Sequence, residues 1–465
     1  MRKKVIEMIA NFIIEVMRQT KIPGLSIAIV KDGALEYANG FGARRLDGNL
    51  PMTADTIIGI GSISKSFTAL AIMQLVEQGK IDLRAPVDNY IDFKLGSRKN
   101  PITVHHLLSH SSGFPDLDAT YISIARGLGS SEITTPMSSW NDFLLHINGA
   151  RNEQFSDPDM NFFYNNDFFT VLGLIVEKVS GLKFENYVKE NILNPLEMNR
   201  STYTKEDFEK VNDKLTGYIR SGDGEFKDYN HPFDEKIYAP GGLLSSAKEM
   251  GNYLKALMNN GKFNGNQIIQ QSSLEQMWGK YTKMPEGTSY VLFKEAWYGY
   301  AWMMENFFDY NLVHHGGDIL TSSANLALIP EQNLGIFIGA NMSIGPVLSS
   351  LCWGVFAIFL GIDINKAVPL LSVNQKLSKL AGKYETYKGI IKIEVDYKDG
   401  FLSGKISHPA LIEDLKFPLA PLDVDNLKFY VPVCLPNQTI FVQFFIDEKT
   451  GKINATADRY YFHKV

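Results

Sequence analysis

The chain has 465 residues, 45% of them apolar and 21% charged, with a formal net charge of -5. That balance belongs to a folded protein and excludes a disordered one, and the length exceeds what one hydrophobic core serves, so two or three domains are expected. Without long charge runs there is no reason to expect nucleic acid or an anionic membrane as partner. The two cysteines, Cys352 and Cys434, are too far apart for a disulfide scaffold or zinc ribbon and suit a reducing cytoplasm.

The N-terminal stretch MRKKVIEMIANFIIEVMRQT starts basic, as a signal peptide does, but Glu7, Asn11 and Glu15 interrupt its apolar residues. Val5, Met8, Ile9, Phe12, Ile13, Val16 and Met17 recur at helical spacing and predict an amphipathic helix lying on a core. The apolar run SLCWGVFAIFLGI is too short to span a membrane. GLSIAIVKDGALEYANGFGARR reads as a β-hairpin turning at Lys31, Asp32 and Gly33. Ile102 to Leu108 and Phe168 to Val179 carry helical patterns, the second ended by Ser180 and Gly181.

Strands return late, in LVHHGGDI and SANLALIPEQNLGIFIGAN. With the early hairpin they predict one antiparallel sheet assembled from both ends of an α+β domain, helices lying between them in sequence. Its expected extent is 1–370, with a sheet region of about 1–60 and 290–370 and a helical region of about 61–290. From 371 to 465 the chain breaks into short alternating segments between Gly, Asp, Asn and Pro, an all-β module. SVNQKLSKL is the expected joining helix.

The stretch GIGSISKSFTAL sets Ser62 three residues before Lys65 at the head of an apolar run. A serine hydroxyl is a poor nucleophile until a base takes its proton, and a lysine serves only where burial or nearby positive charge lowers its pKa. Spacing i to i+3 puts both groups on one helix face. The pattern is cheap, since Ser180 with Lys183 and Ser245 with Lys248 match it too. Two further groups follow in order: Tyr164-x-Asn166 at a helix entry, and His315-Gly316-Gly317 at a strand, with His314 offering another register. Tyr37-Ala38-Asn39 duplicates the first of these.

In that order the three elements resemble the site of the serine β-lactamase and penicillin-binding-protein superfamily. The likeness is to its class C-like branch of esterases, D-aminopeptidases and DD-peptidases, and within it to archaeal CubicO-type serine peptidases. LLSHSSGFPD, YAPGGLLSSAKEM and LALIPEQNLGIFIGAN look like further segments of that branch. The resemblance implies an antiparallel sheet flanked by helices with an inserted helical region, followed by a lipocalin-like C-terminal barrel, and no cofactor.

It also implies an acyl-forming Ser62, with Lys65 and Tyr164 sharing the proton, and Asn166 orienting the substrate. The oxyanion would be held by the backbone N–H groups of Ser62 and Asp318, with Gly317 allowing close approach. His315 replaces the Lys-Thr-Gly lysine of β-lactamases, which lowers penicillin hydrolysis in rank, and is expected to bond Tyr164 or a substrate and to charge below about pH 6.5. The implied activity is a serine peptidase of D-aminopeptidase or DD-peptidase type on small peptides. A carboxylesterase is the alternative, with a β-lactamase or a non-catalytic binding protein behind it. Some relatives with this barrel assemble, which implies a homo-oligomer. His105, His106 and His110 have spacing that can bind zinc, but no acidic ligand follows at suggestive spacing, so no metal is expected. Trp297, Tyr298, Tyr300, Trp302, Phe307 and Phe308 are read as core aromatics, a few of them as candidates to line the cleft.

Overall fold

Helix α1 (Arg2–Thr20) has the expected amphipathic character: Ile9, Ile13 and Val16 are buried, whereas Met8 and Ile14 face solvent. The structure is a computed structural model that describes residues 2–130, 132–221, 224–286, 295–398, 400–407, 413–432, 440–447 and 449–465. Cys434 lies outside the described residues, and Cys352 is a buried free thiol. The chain divides into two units, Met1–Val355 and Phe356–Val465.

In the first unit the early hairpin pairs β1 (Gly24–Lys31) with β2 (Ala34–Arg45) through Asp32 and Gly33, both at positive φ. Two left-handed residues give the turn whose twist matches the strands it joins. Strand β3 (Leu50–Pro51) extends this edge. Strands β4 (Thr282–Lys283), β5 (Ala296–Tyr298), β6 (Met303–Phe307), β7 (Tyr310–Asp318), β8 (Ser323–Ile329) and β9 (Leu334–Ala340) complete a nine-stranded antiparallel sheet ordered β4-β5-β6-β7-β8-β9-β1-β2-β3. The early hairpin and the late strands therefore meet inside it, where Leu25 pairs with Ala340 and Lys31 with Leu334. The mostly apolar run of β1, interrupted only by Ser26, reflects burial from Gly24 to Val30, a strand covered on both faces.

Between the hairpin and the late strands lie α2 (Ser64–Glu77), α3 (Val104–Leu108), α4 (Asn166–Ser180), α5 (Glu235–Gly241) and α6 (Ala247–Met258). Helix α6 crosses β1 and β9, and α2 packs against α4 and α5. Every residue of α2 from Ser64 to Met73 is buried, as befits a helix apolar all round. Asn165 caps α4, accepting from the Phe168 N–H at 2.8 Å, and Gly181 ends it at φ 78°. Helix α7 (Gly345–Leu360) follows the sheet; no helix among the described residues is long and apolar enough to cross a membrane.

In the second unit α8 (Pro369–Leu380) leads into eight strands: β10 (Gly382–Glu385), β11 (Lys392–Lys398), β12 (Phe401–Ser407), β13 (Leu415–Asp423), β14 (Lys428–Val431), β15 (Ile440–Ile446), β16 (Ile453–Ala457) and β17 (Tyr460–Lys464). They close into a barrel as β17 returns to β10, pairing Lys464 with Tyr384. Its core includes Tyr384, Val395, Leu402, Phe429, Phe444 and Phe462, so side chains occupy the interior.

Candidate active site

Ser62 sits in the short 3-10 turn Gly61–Ile63 that runs into α2, one turn ahead of Lys65. Helix α2 carries the amine into the interior, where it lies 3.0 Å from Ser62 Oγ, 2.7 Å from Asn166 Oδ1 and 2.8 Å from the Pro240 carbonyl oxygen. The last two atoms only accept hydrogen bonds. A neutral amine has two N–H groups and one lone pair, so with both hydrogens engaged the lone pair faces the serine hydroxyl. Burial lowers the Lys65 pKa to about 7, with Asp116 and then Asp167 pulling it back up. The amine also stands 4.8 Å from the Tyr164 ring centre and 5.5 Å from that of Phe169.

The Lys65 contact to Asn166 is set from behind by Asp116. Its carboxylate accepts from the Asn166 backbone N–H at 3.0 Å and from Nδ2 at 2.8 Å. Burial raises the Asp116 pKa, against the pull of Asn166 and Lys65. Next along α4, Asp167 is buried and accepts from the Ala119 and Thr120 N–H groups and from Thr120 Oγ1, at 3.0, 2.7 and 2.7 Å; burial and then Asp116 raise its pKa to about 6. His110, from the LLSHSSG segment, accepts from the Asn165 N–H at 3.1 Å and packs its ring 4.4 Å from that of Tyr164. Its φ of 55° is left-handed, which holds the loop against the entry to α4.

Strand β7 supplies the third segment, and its alternation resolves the two histidine registers. His315 turns toward the aromatic cluster, its ring 6.2 Å from that of Tyr164. His315 Nδ1 lies 2.5 Å from the Gly316 carbonyl oxygen, which can only accept, so the proton is on Nδ1, and Nε2 accepts from the Tyr298 hydroxyl at 3.0 Å. Burial and then Lys65 push the His315 pKa down to about 3. The expectation was a bond to Tyr164 or a substrate and a charge below about pH 6.5; burial disfavours that charge, and the ring nitrogens meet Tyr298 and the Gly316 carbonyl rather than Tyr164. His314 turns to the opposite face, 2.8 Å from Glu305.

The end of β7 lies against the Gly61–Ile63 turn. A methyl group on Gly317 would overlap the Ile60 carbonyl oxygen and sit 2.9 Å from the Ser62 nitrogen; one on Gly61, at φ 53°, would overlap the Asp318 nitrogen. Only glycine lets these two backbones approach so closely. Ser62, Tyr164, Asn166, His315, Gly317 and Asp318 all line one cavity of about 580 Å³, with Lys65 behind Ser62.

The other matches lie elsewhere. Lys183 pairs with Glu235 and Lys248 with Asp55, while Asn39 bonds Tyr37 along β2. Tyr298, Tyr300, Trp302 and Phe307 are core residues, whereas Phe308 is 41% exposed. For the histidines, the carboxylate missing from the local spacing arrives from 49 residues beyond His110: Asp159 lies 3.3 Å from His106 and 3.7 Å from His105. Even so, among the described residues no group of His, Cys, Asp and Glu has the geometry to hold a metal ion. Sequence reasoning gave no role to Asp116, Asp167 or the Pro240 carbonyl, although the first lies inside LLSHSSGFPD and the last inside YAPGGLLSSAKEM, and it read Tyr298 as a core aromatic and a candidate to line the cleft.

The sheet with its helical layer, and the serine with its buried lysine beside β7, define the β-lactamase and penicillin-binding-protein class. Residues 9–347 match the family described as Beta-lactamase, and the chain belongs to it; residues 364–463 match the Pab87 octamerisation domain. Among solved structures, the chain is similar to the octameric penicillin-binding protein homologue from Pyrococcus abyssi. The two are 34% identical, covering 99% of this chain and 100% of that one, with a TM-score of 0.86. It is 27% identical to protein flp of Staphylococcus aureus (strain MW2), over 70% of this chain and 61% of that protein. It is 24% identical to the unguisins hydrolase ungD' of Aspergillus campestris (strain IBT 28561), over 70% and 60%. The chain thus spans about three fifths of the length of the curated relatives it matches.

Proposed function

We propose that this chain is a serine hydrolase working through an acyl-enzyme, with small peptides of the kind cut by D-aminopeptidases and DD-peptidases as its substrates. The observation that carries the reading is the place of Lys65: a buried amine, its pKa near 7, that lies 3.0 Å from Ser62 Oγ, so that its neutral form has a lone pair to offer the serine proton. Ser62 Oγ attacks the substrate carbonyl as its proton passes to Lys65, with Tyr164 beside the amine to share that proton and relay it to the leaving group. The backbone N–H groups of Ser62 and Asp318 stabilise the oxyanion; collapse expels the leaving group, and water then attacks the acyl-enzyme by the reverse path. Neutral His315 holds Tyr298 and the β7 backbone in register and supplies no charge.

A fluorophosphonate probe followed by peptide mapping tests the reading: an adduct on Ser62, absent in Ser62→Ala, is expected. Labelling that persists in that variant overturns it. A panel of L- and D-peptides and p-nitrophenyl esters then tests the substrate class, where turnover of esters with every peptide inert would move the activity to a carboxylesterase.

We also propose that the barrel carries assembly into a homo-oligomer. Its match to an octamerisation domain supports this, as do the outward Phe401, Leu415 and Phe441, which are 75%, 58% and 58% exposed. Light scattering of the purified chain is expected to give a multiple of 52.2 kDa, and a monomer refutes it.

A further inference from the structure

Three segments that hold the reacting groups also bring apolar side chains into the cavity that Ser62 lines. Helix α5 gives the Pro240 carbonyl to Lys65, and one turn earlier Ile237 lines the cavity. Asp167, next to Asn166, accepts from the first N–H groups of the short helix Ala119–Gly127, which packs on α5. On that helix Tyr121 and Ile124 are three residues apart, hence on one face, and both line the same space. Beyond β7, Leu320 gives its backbone N–H to Asp318 Oδ1 at 2.8 Å and lines the cavity as well.

Leu320 breaks a local rule. Its φ of 65° is left-handed, in the 319–322 turn that joins β7 to β8, where glycine or asparagine would sit with less strain. Core packing does not account for a branched side chain there. Leu320 and Tyr121 together also line a neighbouring hollow of about 530 Å³, so the two stand side by side between open spaces, and Tyr121 is 55% exposed. Strain of this kind collects at positions that contact a ligand. Apart from the Tyr121 hydroxyl, the four side chains of this wall offer only carbon, and what they prefer to water is an apolar group.

We propose that Tyr121, Ile124, Ile237 and Leu320 form the subsite for an apolar side chain of the substrate, the one borne by the residue whose carbonyl Ser62 attacks, and that Leu320 is its specificity-determining residue. The Asp318 N–H that would hold the oxyanion lies two residues before Leu320, a span of at most about 7 Å, within the reach of that side chain. Asp318 thus serves twice, its N–H toward the oxyanion and its carboxylate holding the Leu320 backbone in the left-handed turn. The proposal rests on the reading of Ser62 as nucleophile and narrows the substrates to those with a large apolar residue at the point of attack.

The test is protection of Ser62 from a fluorophosphonate by the N-acetyl amides of alanine, leucine and glutamine, each in both hands. These are uncharged, so they differ only in the side chain. In the better-bound hand, leucine is expected to protect at about tenfold lower concentration than alanine, the effect of burying part of three further carbons, and glutamine, of similar size, no better than alanine. The leucine-to-alanine ratio is expected to fall toward one in Leu320→Asn and to shrink in Tyr121→Ser; being a ratio within each variant, it is insensitive to changes in overall reactivity. Because asparagine tolerates the left-handed turn, Leu320→Asn is expected to keep the wild-type melting temperature while the ratio falls. Equal protection by alanine and leucine, better protection by glutamine than by leucine, or an unchanged ratio in either variant overturns the subsite. Absence of any Ser62 adduct in the wild type instead overturns the hydrolase reading, and the subsite with it.

Discussion

Asp116 determines which end of Asn166 faces Lys65. Because a carboxylate only accepts, it draws the Asn166 Nδ2 to itself at 2.8 Å and leaves Oδ1 for the lysine at 2.7 Å. Its charge also raises the Lys65 pKa, opposing burial. Asp116→Asn should therefore slow Ser62 labelling about tenfold, the typical penalty of one lost charge-assisted contact, and move the acid limb of the pH–rate profile to lower pH. A limb that stays where it was would remove Asp116 from control of the amine.

With Lys65 as base, the rate of labelling should rise with pH through about 7 and level off above it, because only the neutral amine has a lone pair to offer. Lys65→Met keeps the length of the side chain and should lower the rate about 10²–10⁴-fold, the usual contribution of a positioned base. It should also flatten the limb. Stopped-flow labelling between pH 5 and 9 measures both.

Gly317→Ala forces apart the two backbones that would cradle the oxyanion. The expected loss is about 2.7–4 kcal/mol of barrier, as for removal of one donor, together with a lower melting temperature from the overlap with Ile60. Near wild-type turnover in this variant would disprove the oxyanion hole as drawn.

Buried histidines predict acid sensitivity. Burial holds His231 and His315 at pKa values of about 3 and His110 well below its ordinary range. The unfolded chain takes up these protons near pH 6.5 while the folded one refuses them, so stability is complete above that pH and declines as pH falls toward 3. At pH 5 the loss is about 2 kcal/mol for each such histidine. Calorimetry at pH 7.5 and 5 should show the melting temperature drop, and a profile flat across that range contradicts the burial of these rings.

What the sequence disclosed was whatever a short local pattern can carry. Ser62 and Lys65 are three residues apart, Tyr164 and Asn166 two, and a helix or a loop entering one holds such neighbours together wherever it lies. The alternation in LVHHGGDI predicted a strand, yet it left open which histidine faced the serine; the ladder to β6 and β8 decides that. Asp116 and the Pro240 carbonyl approach Lys65 only after chain segments 51 and 175 residues away have packed. Nothing in the residues around Pro240 distinguishes a carbonyl that receives an amine from one that does not. The protonation of His315 was misjudged for the same reason, since its surroundings are made by distant segments.

The pairing of β1 with β9 spans some three hundred residues of chain. During synthesis the N-terminal hairpin emerges long before its neighbour exists, and its inner edge of open amides and carbonyls stays unpaired until residue 340 has left the ribosome. Closing so long a loop is slow, and an apolar strand with a bare edge invites association with other nascent chains. This seam of the sheet therefore cannot close before residue 340 is made, and chaperone demand in the cell should fall on the interval between the translation of its two halves.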